Sequence, residues 1–264
     1  MTTQSTAVLT GKVALVTGGA GGFGLASALL LARDGAAVTL TGRNVDSLAA
    51  AQARIERDTP GARITIQAGD SNCDEDLRAV VATTIRNYGR LDMVAATVGN
   101  TVPGLLTDLT GDQFMQGVSL SLRPAFVAIR ECVPAMRDGG AFAFISSTAA
   151  VMPFIGLAAY CAGKAALDHL ARAAANELGS RGYRFNVIRP GVVRTGATVQ
   201  IFSNPPVVNS FLERVPLGRL GEPDEVAQAI RYLLGPESRW TTGQSFAVDG
   251  GNELRGAPMP TDVR

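Results

Sequence analysis

Short apolar runs alternate with longer stretches of mixed polarity along the whole chain. Most of the runs are continuous, a pattern typical of strands that a parallel sheet buries on both faces, and the stretches between them show helical periodicity. The alternation predicts an α/β fold, a doubly wound parallel sheet of seven strands with helices on both faces. The predicted strands cover residues 12–17, 37–41, 63–68, 91–96, 141–145, 184–188 and 245–248. The predicted helices cover residues 25–33, 45–57, 76–88, 112–136, 158–178 and 225–234, with kinks or breaks expected at Pro124 and Pro134.

Length and hydrophobic content both favour one domain. The 264 residues are 46% hydrophobic, which is enough for a sizeable core without disulfides or metals. We therefore expect a single domain over residues 1–264, with a flexible lead at 1–10 and a tail at 252–264. The lead lacks the basic and apolar regions of a signal peptide, and no apolar run reaches the length of a membrane span.

Charge and cysteine usage exclude several classes of function. The 24 basic and 23 acidic residues give no electrostatic ground for binding nucleic acid or an anionic membrane. Cys73, Cys132 and Cys161 are odd in number and widely spaced, which indicates a reducing compartment and predicts a cytoplasmic location. His169 is the only histidine, so we expect no metal site, and a Ser-His-Asp triad would depend on that one residue.

A glycine-rich segment, residues 18–24, lies between the first predicted strand and the first predicted helix. Glycines there permit a tight turn and a close approach of the backbone to a pyrophosphate, while the helix N-terminus supplies N–H donors. A glycine-rich loop without a ligand is the alternative, but the strand–loop–helix context favours a dinucleotide site.

The residues at the end of the second predicted strand indicate which dinucleotide is bound. In dinucleotide-binding folds an acidic residue there binds the ribose 2′-hydroxyl of NAD, whereas an Arg accommodates the 2′-phosphate of NADP. Gly42 takes the place of the acid in this chain, and Arg43 follows it. The pattern predicts NADP(H) and disfavours NAD(H); a solvated loop charge is the alternative for Arg43.

Tyr160 and Lys164 are four residues apart in a predicted helix and so share one face. A positive charge beside a phenol lowers its pKa from about 10 and suits it for general acid–base work. Lys12 and Lys164 are the only lysines, which indicates that an ammonium rather than a guanidinium is needed here. Ser147, soon after the predicted strand at 141–145, can hydrogen-bond a substrate oxygen. An ordinary helix that happens to carry Tyr and Lys at this spacing is the alternative.

Five motifs in order make residues 10–252 resemble the short-chain dehydrogenase/reductase family. The resemblance implies a Rossmann-type fold and a reversible hydride transfer between NADP(H) and a carbonyl/alcohol pair. The motifs are Thr17-Gly18-x-x-x-Gly22-x-Gly24; Ser147 thirteen positions before Tyr160-x-x-x-Lys164; Pro190-Gly191 with Thr195; and the segments 216–223 and 242–251.

The resemblance also implies individual roles. Tyr160 would protonate the carbonyl oxygen during reduction, Lys164 would lower the pKa of Tyr160 and bind the nicotinamide ribose, and Ser147 would orient the carbonyl. The cofactor-binding residues implied in this way are Gly18, Gly22, Phe23, Gly24, Arg43, Asp70, Ser71, Gly99, Tyr160, Lys164, Pro190, Gly191, Val193 and Thr195.

Two departures from the family pattern concern catalysis. Most members read Asn-Asn-Ala-Gly after the fourth strand, where this chain has Ala96-Thr97-Val98-Gly99. Ser121 takes the place of an Asn that, in the family, is implicated in a water-linked proton path to the Lys, so Ser121 is a fourth candidate catalytic residue. A cofactor-binding protein with impaired catalysis is the alternative that these departures raise.

Two mostly apolar segments, residues 149–157 and a substrate loop at 196–215, are expected to meet a small-molecule substrate; loop and lid packing is the alternative. They carry no basic cluster for phosphates or several carboxylates, which favours an apolar ketone or secondary alcohol. A 3-oxoacyl reductase is a further alternative, although the near-neutral charge offers no basic surface for an acidic carrier protein. Family members are commonly dimers or tetramers, so the resemblance implies a homo-oligomer packed through the helices predicted at 112–136 and 158–178.

Overall fold

The computed structural model describes residues 8–137, 139–199 and 203–257 of the chain. Parts of the predicted lead, tail and substrate loop, namely residues 1–7, 258–264 and 200–202, lie outside the described residues. The seven predicted strands form one parallel sheet in the order β3-β2-β1-β4-β5-β6-β7, which confirms the Rossmann-type, doubly wound fold. The strands are β1 (Val13–Thr17), β2 (Ala37–Gly42), β3 (Ile64–Ala68), β4 (Met93–Ala96), β5 (Gly140–Ile145), β6 (Tyr183–Pro190) and β7 (Ser245–Val248).

Helices follow the strands and cover both faces of the sheet. They are α1 (Gly22–Arg33), α2 (Val45–Asp58), α3 (Asp74–Tyr88), α4 (Gly111–Cys132), α5 (Ala158–Leu178), α6 (Pro205–Leu212) and α7 (Pro223–Leu234). Short 3-10 turns lie at Val133–Ala135, Thr148–Ala150, Gly179–Arg181, Gly196–Thr198, Pro236–Ser238 and Asn252–Leu254.

The core consists of two apolar layers, one on each side of the sheet. Successive residues of β1 point to opposite faces, so Val16 packs in the layer beneath α1, α2 and α7, while Leu15 packs in the layer beneath α3, α4 and α5. The second layer contains stacked rings, with the centroids of Phe142 and Phe185 4.7 Å apart. These layers fix α5 against the sheet and so determine where its polar face emerges.

The start of α1 differs from the prediction. The helix begins at Gly22 rather than at residue 25, so the last glycines of the loop form its first turn. A Cβ at Gly24 would lie only 2.1 Å from the carbonyl oxygen of Gly18, because the helix starts directly against the preceding turn. The glycines therefore bring backbone N–H groups, and no side chain, to this end of β1.

The predicted break of α4 at Pro124 does not occur, and α4 continues through it to Cys132. A proline removes the N–H that would bind the carbonyl four residues earlier, here that of Leu120. The Leu120 carbonyl instead accepts the backbone N–H of Asn100 at 3.2 Å. The group that the proline leaves unpaired thus holds the loop after β4 against α4. Pro134 lies in a 3-10 turn just after the helix, so the break expected there does occur.

Candidate active site

A cleft of about 400 Å³ opens at the carboxyl ends of the central strands. The sheet order places β4 next to β1, so the chain runs outward in opposite directions from this point. Such a switch point is where open α/β sheets bind their ligands. The structure brings these predicted site residues to its wall: Gly18, Gly22, Phe23, Gly24, Gly99, Ser147, Tyr160, Lys164, Pro190, Gly191, Val193 and Thr195.

A second hollow, of about 270 Å³, adjoins the cleft and shares Gly18 and Gly99 with it. The remaining predicted cofactor residues, Arg43, Asp70 and Ser71, line this hollow. Because Gly18, Val98 and Gly99 line both spaces, the two are treated together as one candidate site.

The glycine loop allows the backbone to lie where side chains would not fit. Gly18 has a φ of +67°, and a Cβ there would lie 2.8 Å from the hydroxyl oxygen of Thr97. A Cβ on Gly22 would lie 2.9 Å from the methyl group of Thr195, across the cleft. No side chain caps the N-terminus of α1, so its first N–H groups remain available to a ligand. This arrangement suits a phosphate-bearing ligand.

Lys164 is buried, with only 2% of its surface exposed. Its ammonium nitrogen Nζ donates to the carbonyl oxygen of Ile145 at 2.7 Å and lies 5.6 Å from the ring centroid of Tyr160. A Cβ on Gly99 would lie 2.7 Å from the same nitrogen. Ser147 caps the 3-10 turn at Thr148–Ala150, and its hydroxyl oxygen accepts the N–H of Ala149 at 3.1 Å.

Burial governs the acid–base properties of the pair. It lowers the pKa of Lys164 to about 8, and the negative charge of Asp168 opposes this shift. Burial also raises the pKa of the half-buried Tyr160, while a hydrogen bond with Ser147 opposes the rise. The expected lowering of the pKa of Tyr160 by Lys164 is therefore wrong for this structure, because loss of solvation around the phenol dominates.

Ser121 lies at the contact between α4 and α5. It is buried, and its hydroxyl donates to the carbonyl oxygen of Asn100 at 2.7 Å. A Cβ on Gly163 would lie 2.7 Å from the Cβ of Ser121, so the two helices touch here through small residues. Ser121 thus holds the backbone of Asn100, which directly follows Gly99 beside the Lys164 ammonium.

Arg43 is exposed at the rim of the second hollow. The carboxylate of Asp70 accepts the backbone N–H of Asn72 at 2.9 Å and its side-chain amide at 3.1 Å. The backbone hydrogen bond is the main reason that the pKa of Asp70 is lowered, and the charge of Arg43 contributes to the same direction. The Asp70 carboxylate is thereby held ionised next to the guanidinium.

One of the two predicted substrate segments contains a helix that the hydrophobic periodicity of the sequence did not predict. The loop at 196–215 contains the helix α6, whose start follows Asn204 with Pro205 at the first helical position, a recognisable start signal. Val151, Ile155 and Val199 expose 51%, 55% and 61% of their surface. Ile201 and Phe202 of this loop lie outside the described residues.

The structure adds cleft residues that the motifs did not indicate. Thr97 forms part of the wall, and its hydroxyl donates to the carbonyl oxygen of Thr17 at 2.7 Å, which ties β4 to β1. The cleft is also lined by Val98, Ile145, Ser146, Gly196 and Thr198.

Two negative findings apply to the described ranges. No described helix is both long and apolar enough to cross a membrane. Within the same residues no group of three or more histidines, cysteines and acids is arranged to bind a metal ion. Cys73, Cys132 and Cys161 are all free thiols.

Comparison with known proteins places the chain in a family. A family model described as enoyl-(acyl carrier protein) reductase matches residues 18–253. Glucose 1-dehydrogenase of Gluconobacter oxydans is 31% identical over 249 residues, which cover 93% of each chain. A 3-oxoacyl-[acyl-carrier-protein] reductase of Thermotoga maritima is 32% identical over 92% of this chain and 98% of its own.

A solved structure agrees with the sequence relatives. A short-chain type dehydrogenase/reductase from Mycobacterium ulcerans has a TM-score of 0.91 at 32% identity, covering 95% of this chain and 93% of that one. The family model and the relatives each span nearly the whole chain, including the cleft. The chain therefore belongs to the short-chain dehydrogenase/reductase family, whose oxidoreductases bind nicotinamide cofactors.

Proposed function

We propose that this protein transfers a hydride between NADP(H) and a carbonyl/secondary alcohol pair, with an apolar ketone as the carbonyl substrate. The observation that carries the proposal is the convergence of Ser147, Tyr160 and Lys164 with the glycine loop in one cleft. The close backbone approach at Gly18 and Gly22, which leaves no room for a Cβ, fits the pyrophosphate of a dinucleotide.

The chain's own residues supply the proton chemistry. A bound nicotinamide cofactor contributes the hydride. Tyr160 holds, at its phenol oxygen, the proton that the carbonyl oxygen takes up during reduction, and burial keeps that proton in place at neutral pH. Ser147, the hydrogen-bond partner of the phenol, is placed to orient the carbonyl. Lys164 stabilises the phenolate that remains, with its ammonium fixed by the Ile145 carbonyl.

The preference for NADP(H) rests on Arg43 at the rim of the second hollow and on the absence of a carboxylate at Gly42. A hydrogen bond between a guanidinium and a phosphate is charge-assisted, worth about 1.5–3 kcal/mol, or roughly tenfold to a hundredfold in affinity. NAD(H) lacks this phosphate and is the disfavoured cofactor.

Titration of both cofactors tests this preference. Arg43→Ala is expected to weaken NADP binding about tenfold to a hundredfold while leaving NAD binding nearly unchanged. Arg33→Ala is the matched control, because Arg33 is also an exposed arginine but lies at the far end of α1. Equal affinities for the two cofactors in the wild type, or an unchanged NADP affinity in Arg43→Ala, would refute the preference.

The apolar ketone is favoured by the exposed side chains of Val151, Ile155 and Val199 in the segments that flank the cleft. A 3-oxoacyl thioester is the second candidate, because the chain is similar to a 3-oxoacyl-[acyl-carrier-protein] reductase. Rates with cyclic and long-chain ketones and with a 3-oxoacyl thioester, measured by nicotinamide absorbance, separate the two.

Tyr160→Phe tests whether the cleft is catalytic. The substitution removes only the phenol oxygen, so we expect turnover to be lost while cofactor affinity stays close to that of the wild type. A variant that keeps more than a few per cent of the rate would overturn the role of Tyr160. If the wild type binds cofactor but reduces no carbonyl, the alternative of impaired catalysis is correct.

We also propose a homo-oligomer, a dimer or tetramer, formed through α4 and α5 in a reducing, cytoplasmic environment. Met115 and Phe126 on α4 expose 60% and 47% of their surface, which supports an apolar contact there. The free thiols support the reducing environment. Sedimentation of the wild type and of a Phe126→Ser variant tests the interface, and a monomeric wild type would overturn it.

A further inference from the structure

α5 carries a buried carboxylate that the proposed chemistry does not use. Asp168 lies one helical turn after Lys164 and exposes only 5% of its surface. One oxygen of its carboxylate, Oδ2, accepts a hydrogen bond from the Nε of Arg189 at 2.6 Å, whereas the other, Oδ1, is buried without a hydrogen-bond partner. A buried carboxylate with one oxygen unpaired lowers the free energy of unfolding, which suggests that the group is retained for another role.

The neighbours of Asp168 join three parts of the fold. Arg189 lies near the end of β6, directly before Pro190 of the cleft, and its terminal nitrogen lies 3.8 Å from the carboxylate of Glu253. Burial raises the pKa of Glu253, and Arg189 opposes that rise. Asp168 thus has a fixed partner that holds one carboxylate oxygen while the other stays open.

Side chains point back toward the N-terminus along a helix, so the carboxylate of Asp168 lies over the turn that contains Lys164. The other ionisable group of α5 near the ammonium is Tyr160, and Cys161 acts on Tyr160. Of the charged groups of α4, Arg123, Arg130 and Glu131 pair with α3, and Asp112 is exposed in the first turn. The loop after β4 carries one acid, the exposed Asp108, and the 3-10 turn at Thr148–Ala150 carries no ionisable side chain. β6 contributes Tyr183, Arg184 and Arg189, and the described C-terminal segment contributes Asp249, Glu253 and Arg255.

We propose that Asp168 is a positioning residue that acts as the counter-ion of Lys164 and keeps its buried ammonium protonated, with Arg189 fixing the carboxylate. The catalytic part of this inference rests on the proposed function, since Lys164 acts there as a cation. Arg189 and Asp168 together are neutral as a pair, but the carboxylate lies on α5 one turn from Lys164, and its charge, not that of Arg189, acts on the pKa of Lys164. The residual field at Lys164 is therefore negative.

The expected size of the effect follows from the spacing. The Cβ atoms of residues one helical turn apart are separated by about 6 Å. A unit charge at a similar distance in an effective dielectric of about 20 moves a pKa by about two units. Arg189 neutralises part of this field, so we expect Asp168 to account for about one unit. The direction agrees with the role of Asp168 in opposing the lowered pKa of Lys164.

The chain permits a direct measurement, because Lys12 and Lys164 are its only lysines. Protein labelled with carbon-13 at the lysine ε position gives two side-chain resonances by NMR, and Lys12, half exposed, serves as the internal reference. The pH is varied and the midpoint of the Lys164 resonance is compared among the wild type, Asp168→Asn and Asp168→Glu.

The two substitutions separate charge from packing. Asp168→Asn keeps the shape and can still accept the bond from Arg189, so we expect it to fold and to lower the Lys164 midpoint by about one pH unit. Asp168→Glu retains the charge and is expected to keep the midpoint close to that of the wild type. A midpoint that Asp168→Asn leaves in place, or that both variants lower equally, overturns the proposal.

Asp34→Asn is the matched control for loss of a half-buried carboxylate paired with arginine. Asp34 pairs with Arg231 at the opposite end of the sheet from the cleft. This variant is expected to lower thermal stability without moving the Lys164 midpoint. If it moves the midpoint as much as Asp168→Asn does, general loosening of the fold explains the result and the proposal fails.

The pH profile of kcat distinguishes failure of the inference from failure of the proposed function. In Asp168→Asn the alkaline limb for carbonyl reduction is expected to move down together with the NMR midpoint, by about one pH unit. A midpoint that moves while the pH profile does not would support Asp168 as counter-ion and count against the catalytic role of Lys164. If the pH profile of kcat shifts while the NMR midpoint of Lys164 stays in place, the inference is overturned.

Discussion

Gly99→Ala is expected to disturb Lys164 selectively. The added Cβ would lie 2.7 Å from Nζ, whereas ordinary contact begins near 3.4 Å, so the ammonium must retreat by about 0.7 Å. The ammonium is held by a 2.7 Å hydrogen bond to Ile145, which a retreat of this size breaks or bends. The end of a lysine side chain can move, so the cost falls on its position in the cleft rather than on the packing of the fold.

The magnitude follows from the lost contact. A hydrogen bond to a charged group contributes about 1.5–3 kcal/mol, so displacing the ammonium lowers kcat/KM for carbonyl reduction by roughly tenfold to a hundredfold. The free energy of unfolding is expected to fall by less, because the displaced ammonium can regain contact with water in the open cleft. Steady-state kinetics, cofactor titration and urea unfolding give these quantities separately.

Gly111→Ala provides the matched control. A Cβ on Gly111 meets nothing within 4 Å, and the residue begins α4, where alanine is well tolerated. We expect this variant to keep its activity and to be as stable as the wild type or slightly more stable. If Gly99→Ala is as active as Gly111→Ala, the position of the ammonium does not control the reaction and the reasoning about Lys164 is refuted.

Two further predictions concern the neighbours and the charge of Lys164. Ser121→Ala removes the donor to the Asn100 carbonyl, so we expect a loss of about 0.5–1.5 kcal/mol in urea unfolding and a modest fall in kcat; an unchanged kcat would make Ser121 only a helix residue. The pKa of Lys164 is lowered from 10.5 to about 8. Between these values the unfolded chain binds a proton that the folded chain does not, so stability must rise with pH. Relative to Lys164→Met, the free energy of unfolding of the wild type should rise by about 3 kcal/mol across this window; parallel curves for the two proteins would contradict the lowered pKa.

The fold was predictable because its signals are local. An apolar run in the sequence predicts each strand. The alternation of strands with helices is compatible with only a few topologies of a parallel sheet. The main error has a cause that is not local. The continuation of α4 through Pro124 depends on Asn100, twenty-four positions earlier in the chain, which takes the Leu120 carbonyl. No pattern within the helix could reveal that partner.

The candidate site was predictable in its members but not in its electrostatics. The motifs place Ser147, Tyr160 and Lys164 together, and the structure gathers them in the cleft. The sign of the pKa shift of Tyr160 depends on how much solvent the finished fold removes, which spacing along a helix does not report. The sequence did not indicate Asp168 for a related reason, because its partner Arg189 lies on strand β6 and not on α5.

The opposite pKa shifts of Tyr160 and Lys164 have one origin, and they bear on the direction of the reaction. Burial disfavours charge, so it raises the pKa of the phenol and lowers that of the ammonium. At pH 7 the phenol nevertheless keeps its proton, and an ammonium with a pKa of about 8 mostly keeps its own. Both groups are then in the state that carbonyl reduction requires, a proton donor beside a cation that stabilises the phenolate left behind. Alcohol oxidation requires the phenolate at the outset, which burial opposes. Under the proposed function, the same desolvation that costs stability at Lys164 therefore prepares the cleft for reduction at neutral pH, and we expect this preparation to be lost above about pH 8, where the ammonium gives up its proton.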